Sequence, residues 1–376
     1  FIGLGSILFY VGLLVCVIRW KQPAYAFILI WLIVTLLPNM VTAPAPFFYR
    51  AIAAQTPTMA LPAIATCAIG SWINRGVAAS LRFSRLIIFV IAIVSLGQTA
   101  ITTQHDYFEV WGNDGDVRFQ YSAAHTAIAH ALDASSESSP VIVSGYFIED
   151  ADPIIFGQTL HRSDLSIGWF DARESLVALA GASIERMALP SFTPLDNDLK
   201  SRFLSKAQPL TATKDFKIYP LDADVLRASI EHWDAASGAT DPATASWPIS
   251  FDGNIDLIGY DRAVTASVGS TLPIFTAWRV TSEWQPSSTA IFIHLLNADG
   301  SIGPQDDRLG YPRHNWHTGD EFVQMHHLSI VDLPPGRYSI ELGLYTRETN
   351  VRWIARDRSG QTLGDHILIG QIEIVP

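Results

Sequence analysis

Four apolar runs fill the first hundred residues, at 1–18, 23–37, 56–73 and 86–101. A helix that crosses a bilayer core needs about 20 apolar residues, with about 17–25 tolerated. The first and fourth runs reach that length with modest flanks. The second is short, and the third is diluted by Pro57, Pro62, Thr66 and Ser71. The pattern predicts an α-helical transmembrane segment of about four spans over residues 1–103.

Beyond it the period changes. Residues 117–132, 152–160 and 198–206 carry apolar positions at helical spacing, while 141–145, 165–170 and 216–219 are short strand-like runs. Strands alternating with short helices predict a small α/β domain over 104–222. Residues 223–248, rich in Asp, Ala, Ser, Thr and Pro, read as a linker. Seven strand-like runs follow, at 255–260, 272–280, 290–296, 326–330, 338–345, 351–355 and 367–375. They are punctuated by Asp252-Gly253, Asp299-Gly300, Pro334-Pro335-Gly336 and Ser359-Gly360. That spacing predicts an antiparallel β-sandwich, Ig-like or jelly-roll-like, over 249–376. The fold class is therefore multi-domain: helical membrane segment, α/β ectodomain and terminal sandwich.

Charge sharpens the division. All 36 acidic residues lie after position 105, and residues 1–105 carry only Arg19, Lys21, Arg50, Arg75, Arg82 and Arg85 as fixed charges. The remainder holds 19 basic against 36 acidic residues, a balance of −17. Arg19 and Lys21 separate the first two runs, and Arg75, Arg82 and Arg85 the last two. The positive-inside bias places both loops in the cytoplasm, so 38–55 and everything after about 102 fall outside it. The chain is therefore expected to be an integral membrane protein. A cleaved signal peptide does not fit, because three more runs follow and no basic segment precedes the first. The chain opens at Phe1 inside an apolar run, which reads as a fragment of a longer protein. Cys16 and Cys67 both fall in predicted spans, which leaves the outer body without a disulfide.

Candidate chemistry is sparse. In the 38–55 loop, Arg50 follows Phe47, Phe48 and Tyr49; a guanidinium at headgroup depth can hold a lipid phosphate through paired hydrogen bonds, or snorkel to water as an anchor. His314, His317, His326 and His327 lie near Asp306, Asp307 and Asp320, but without zinc-site spacing, and read as incidental histidines of a solvated loop. Gln305-Asp306-Asp307 lacks the regular oxygen spacing of a calcium loop. Trp278 and Trp353 sit at strand positions that point to the core, whereas Trp284 and Trp316, in loops, are candidate glycan contacts. No nucleophile elbow, phosphate loop, CxxC or dinucleotide fingerprint occurs, and the acidic balance excludes nucleic acid as a partner.

Several stretches resemble a known family. The outer loop ending Phe-Phe-Tyr-Arg50-Ala-Ile-Ala-Ala-Gln-Thr-Pro57, the last apolar run and Tyr107-Phe108-Glu109-Val110-Trp111 resemble the C-terminal part of bacterial GT-C integral-membrane glycosyltransferases. These are of the protein O-mannosyltransferase and aminoarabinose-transferase type. Residues 251–260, 291–295, 315–320, 334–338 and 343–345 look like a β-sandwich appended to some of them. The resemblance implies hexosyl or pentosyl transfer from a polyprenyl-phosphate sugar to a glycan or protein acceptor at the outer membrane face. It assigns the donor phosphate to Arg50 and implies the bacterial plasma membrane as the location. The family's catalytic acid lies in an early outer loop, often with a divalent metal in the full-length protein. Residues 1–105 hold no carboxylate, so no catalytic residue and no cofactor are assigned in this chain, which is expected to be inactive alone. The competing reading is a non-enzymatic, membrane-anchored glycan-binding or envelope scaffold protein.

Overall fold

The computed structural model describes residues 3–41, 52–76, 81–231, 233, 246–282 and 288–376. The chain divides into two compact units, Phe1–Val117 and Arg118–Pro376.

The first unit is helical: α1 (Leu4–Ile18), α2 (Pro23–Val41), α3 (Gln55–Gly76) and α4 (Leu81–Gln104). Its small core gathers Cys16, Leu32, Ala54 and Leu61. α1 meets α3 at Gly12, where an added Cβ would lie 2.0 Å from the Leu61 carbonyl oxygen. Only glycine permits that approach, because no side chain separates the two backbones. Pro62 survives inside α3, and the hydroxyl of Thr66 donates to its carbonyl at 2.8 Å. α4 runs on through a π-helical turn, His105–Val110, where the first acids appear.

Among the described residues two helices are long and apolar enough to cross a membrane, Ile52–Ile73 (22 residues) and Arg85–Asn113 (29 residues). Leu4–Ile18 and Pro23–Pro38 are apolar but shorter. At 1.5 Å per residue α1 rises about 22 Å, less than a bilayer core of about 30 Å. The four-span expectation is thus reduced to two helices of crossing length. Leu86, Phe89, Val90, Ile93, Val94 and Leu96 of α4 are all exposed, a large apolar surface for one helix.

The second unit begins within α5 (Gly115–Gln120) and continues into α6 (Ala123–Asp133), which Ser122 separates from it in a left-handed conformation, φ 49°. β1 (Val141–Ser144), α7 (Ala151–Thr159), β2 (Ile167–Phe170), β3 (Ser175–Ala178), β4 (Ile184–Pro190), α8 (Asn197–Phe203), β5 (Thr211–Ala212), β6 (Phe216–Asp222) and α9 (Ala223–Glu231) follow. Four of these strands and β5 build a sheet of order β2-β1-β4-β6-β5 with β3 left out. β1 is parallel to β2 and β4, whereas β6 is antiparallel to β4 and β5. α6 and α7 cover one face, where Ile128, Leu132 and Phe156 meet Val141, Val143 and Ile218.

The remaining chain forms a β-sandwich-like region. β7 (Ile249–Phe251), β8 (Ile255–Arg262), β9 (Thr265–Ser267), β10 (Thr271–Val280), β11 (Thr289–Leu296), β12 (Ile302–Arg308), β13 (Glu321–Ser329), β14 (Gly336–Thr346), β15 (Val351–Arg352), β16 (Ala355–Arg356), β17 (Thr362–Gly364) and β18 (Ile367–Val375) supply two further sheets. One has the order β17-β16-β7-β8-β10-β13-β3, the other β12-β11-β14-β18-β9. The alternation of β10 and β13 sends Trp278 and Phe322, register partners, into the interior, where both are fully buried.

β3 is the surprise of this arrangement. It leaves the α/β region and adds to the sandwich beside β13, with Phe322 opposite Val177 and Val323 opposite Leu176. α9 packs on β3, β4 and β8 through Leu226 and Ile230, so the first third of the expected linker is a helix bound into the core. Residues 234–245 lie outside the described residues. The expected division at 222–249 therefore crosses a shared core instead of separating two.

Candidate functional site

Arg50 and Trp284 both lie outside the described residues. Trp316 is 1% exposed and its indole N–H donates to the Tyr311 carbonyl at 2.9 Å. A ring enclosed against Phe322 offers no face to a sugar, so the expected glycan contact at Trp316 is corrected: it is a core residue whose loop folds inward. Trp278 is buried on β10, as its strand position implies, and Trp353 is buried too, though it sits in the gap between β15 and β16 and not in a strand.

The histidines also part company. His326 is fully buried in β13, not in a solvated loop, with Nδ1 3.6 Å from Asp306. Asp306 and Asp307 are neighbours on β12, so they project to opposite faces: Asp306 accepts from Arg308 and the His327 amide, Asp307 meets His294. They cannot converge on one calcium ion. His327 instead joins Asp196 and Asp198, whose candidate ligand atoms all lie within 4.8 Å of one another. Asp196 caps α8 by accepting from the Asp198 amide at 2.6 Å and the Leu199 amide at 3.3 Å. These three side chains could hold a divalent metal. They are 131 positions apart along the chain, counted from Asp196 to His327, which hides the set from spacing rules.

A further cluster of polar and aromatic side chains lies at the carboxyl ends of β1, β2 and β4. The chain leaves β1 toward β2 on one side and reaches β4 on the other, the topology at which open α/β sheets form a crevice. Gly145 sits where an added Cβ would be 2.6 Å from Asp152 Oδ2. That oxygen accepts both the Tyr146 and Phe147 amides at 2.8 Å, which pins the turn to the start of α7. His125, fully buried, approaches the Ser144 carbonyl through Nε2 at 3.0 Å, and its Nδ1 lies 3.5 Å from Asp152 Oδ1. Trp169 and Phe192 meet the imidazole edge-on, with centroids 5.5 and 5.4 Å away.

Outside this latch lies an aromatic platform. Phe119 meets Tyr146, Phe147 and Phe192, and Tyr146 and Phe147 remain about half exposed, at 48% and 51%. The Arg173 guanidinium lies 4.5 Å from the Tyr146 ring centre, oriented by paired bonds to Asp171. Hydrogen bonding to Asp171 raises the Arg173 pKa, so its charge is fixed. Aromatic faces beside a fixed guanidinium suit a ring-bearing or anionic ligand. The Ser144 hydroxyl is buried and accepts from the Ala172 amide at 3.0 Å, which places it as a structural group rather than a nucleophile. Sequence reasoning missed the site; its signal is Tyr146-Phe147 directly after a strand-like run.

A second polar group lies in the sandwich. His294 stands between Glu341 and Asp307, 3.1 Å from each, and stacks on Phe292, over which Arg352 lies at 4.4 Å. Arg352 also holds Glu341 at 2.8 Å. These charges are already paired with one another.

No protein-family model matches the chain, and no curated protein matches its sequence. Among solved structures, the chain is similar to the C-terminal domain of wzt, at 13% identity and TM-score 0.29, covering 39% of this chain and 86% of that one. It is similar to a CARDB domain of Pyrococcus furiosus in complex with di-metal ions, at 9% identity and TM-score 0.21, over 34% and 94%. A Niemann-Pick type C2 protein of the Japanese carpenter ant matches at 6% identity and TM-score 0.19, over 35% and 96%. At these scores the likenesses carry no conclusion about function.

Proposed function

We propose that the chain is the C-terminal part of a membrane glycosyltransferase that draws on a polyprenyl-phosphate sugar at the outer membrane face. The observation that supports this reading best is the charge partition: an apolar helical stretch with six cations and no carboxylate precedes a strongly acidic extramembrane body. In this reading the helices hold the donor lipid, and Arg50 binds its phosphate by paired hydrogen bonds. The acceptor hydroxyl attacks the anomeric carbon, the bond to the phosphate oxygen breaks, and the phosphate leaves with the electron pair. The proton passes to a carboxylate, which residues 1–105 do not supply. The Arg118–Pro376 unit then stands on the acceptor side.

The test is equilibrium binding of a labelled polyprenyl-phosphate hexose to the full chain in neutral-lipid nanodiscs. Arg50→Ala is expected to weaken binding at least about tenfold, since it removes both charge-assisted bonds to the phosphate. Unchanged binding would remove Arg50 from the donor site.

One observation favours a second reading, a membrane-anchored glycan-binding or envelope scaffold protein. Tyr146 and Phe147 form an exposed aromatic platform beside Arg173, whose guanidinium lies 4.5 Å from the Tyr146 ring centre. Glycan-array binding that Tyr146→Ala abolishes, with no donor-lipid binding, would select it.

A further inference from the structure

Lysine is rare here and unevenly placed. The chain has five: Lys21, Lys200, Lys206, Lys214 and Lys217, so four fall within eighteen positions. Three of those four, Lys200, Lys214 and Lys217, line one cleft of about 280 Å³ between α8, β4 and β6. They do so in a unit whose residues 118–376 carry 19 basic and 32 acidic side chains, a balance of −13. A cationic rim on an acidic body is the reverse of what composition alone would place there.

The local structure explains how the cleft is built. Lys217 stands opposite Leu189 in the β4–β6 register, and Tyr219 follows it on the same face. Lys214 occupies the crest of the turn into β6, where the Thr213 hydroxyl accepts the Asp215 and Phe216 amides at 3.2 and 3.1 Å. Lys200 comes from α8, beside the buried Leu199. The nearest acid in that turn, Asp215, is taken up by Arg118, which approaches it at 2.7 Å. Below the rim the floor is apolar, with Leu189, Leu195, Leu204, Phe216 and Tyr219 each less than 9% exposed. Ammonium groups over an apolar floor recognise two things at once: a concentrated negative charge, and a group with little affinity for water.

We propose that this cleft binds an organic phosphate, its phosphate held by Lys200, Lys214 and Lys217 and its attached ring or short alkyl group seated on the Leu189, Leu204 and Tyr219 floor. The volume admits a ring or a few methylenes, not a whole lipid. A membrane lipid headgroup and a soluble phosphate ester share this chemistry. The assignment does not depend on the donor-lipid reading, because it uses neither Arg50 nor the helical unit.

The experiment titrates phenyl phosphate into the full chain in zwitterionic nanodiscs by calorimetry. Phenyl phosphate should bind about tenfold more tightly than inorganic phosphate, because the ring desolvates on the floor. The Lys200→Ala/Lys217→Ala double variant should lose about tenfold or more, and Lys206→Ala, in the same run but outside the cleft, should lose nothing. All three lysines are exposed, so unchanged melting of the variants checks that the fold survives. Equal affinity for phosphate and phenyl phosphate, phenol binding as tightly as its phosphate, or an unaffected double variant would each overturn the proposal. Repeating the titration in nanodiscs containing phosphatidylglycerol separates the sources: weakened probe binding assigns the site to lipid headgroups, and unchanged binding to a soluble ester.

Discussion

Trp278→Ala is expected to destabilise the Arg118–Pro376 unit by about 3–5 kcal/mol, the usual cost of emptying a large aromatic from a closed core. Trp278 is fully buried, packs against Phe251 with centroids 5.7 Å apart, and donates its indole N–H to Thr276 Oγ1 at 2.7 Å. Removal leaves a cavity between the β8 and β13 neighbours of β10, and a hydroxyl with one partner fewer. For a unit of this size each kcal/mol moves the melting midpoint by about 2–4 °C, so a fall of roughly 10 °C should be seen. A second consequence follows from β3. Because β3 pairs with β13 while β1 and β4 stay in the α/β sheet, the loss should reach the amides of Val141–Ser144 as well as those of β10. Hydrogen exchange on the wild type and variant reads both. Loss of protection confined to the sandwich would show that the two layers unfold separately.

Glu185→Gln is expected to flatten the stability profile between pH 5 and 8. Glu185 is fully buried in β4; Oε1 accepts the Leu179 amide at 2.6 Å, and Oε2 has no hydrogen-bond partner. Burial pushes its pKa up to about 7, against the smaller opposing effects of the Leu179 amide and Arg227. Below about pH 4.5 the carboxyl is protonated in both states. As pH rises toward 7 the unfolded chain releases the proton first, so stability is lost across that window and levels off above it. Raising this carboxyl from its ordinary value to about 7 corresponds to roughly 3 kcal/mol of stability lost by pH 8. Urea midpoints at pH 5 and pH 8 should therefore differ more in the wild type than in Glu185→Gln. Equal differences in the two proteins would show that Glu185 ionises freely in the folded state.

Glu185 also illustrates what the chain's pattern conceals. The seven strand-like runs of 249–376 recur as β8, β10, β11, β13, β14, β15 with β16, and β18: β8 and β18 largely alternate buried and outer positions, while the apolar runs of β10, β11, β13 and β14 are buried almost throughout. β4, with the sequence Ile-Glu-Arg-Met-Ala-Leu-Pro, does not read as a buried strand. Its Glu185 and Arg186 are nevertheless buried, and Arg186 donates to the Ser139 carbonyl at 2.8 Å. β3 is four residues long and finds its partner about 145 positions downstream, a pairing no local signal encodes. α9 is hidden by linker-like composition, although Leu226 and Ile230 carry the i, i+4 spacing of a buried face. Loop position misled for Trp316, since a loop can fold its one large ring inward when the indole N–H finds a carbonyl. The cationic cleft was within reach: four of five lysines lie between residues 200 and 217. Convergence of three of them required the β4–β6 register.

The proposed use of a lipid-linked donor at the outer face depends on which side of the membrane the acidic body occupies. On a Cys67→Ser background, Ser205→Cys and Lys21→Cys place one exposed thiol in the acidic unit and one between α1 and α2. Intact cells expressing the chain are treated with a membrane-impermeant maleimide. The expected result is labelling of Ser205→Cys in intact cells, and of Lys21→Cys only after permeabilisation. Labelling of Lys21→Cys in intact cells, with Ser205→Cys protected until lysis, would contradict it and remove the outer-face glycosyltransferase reading.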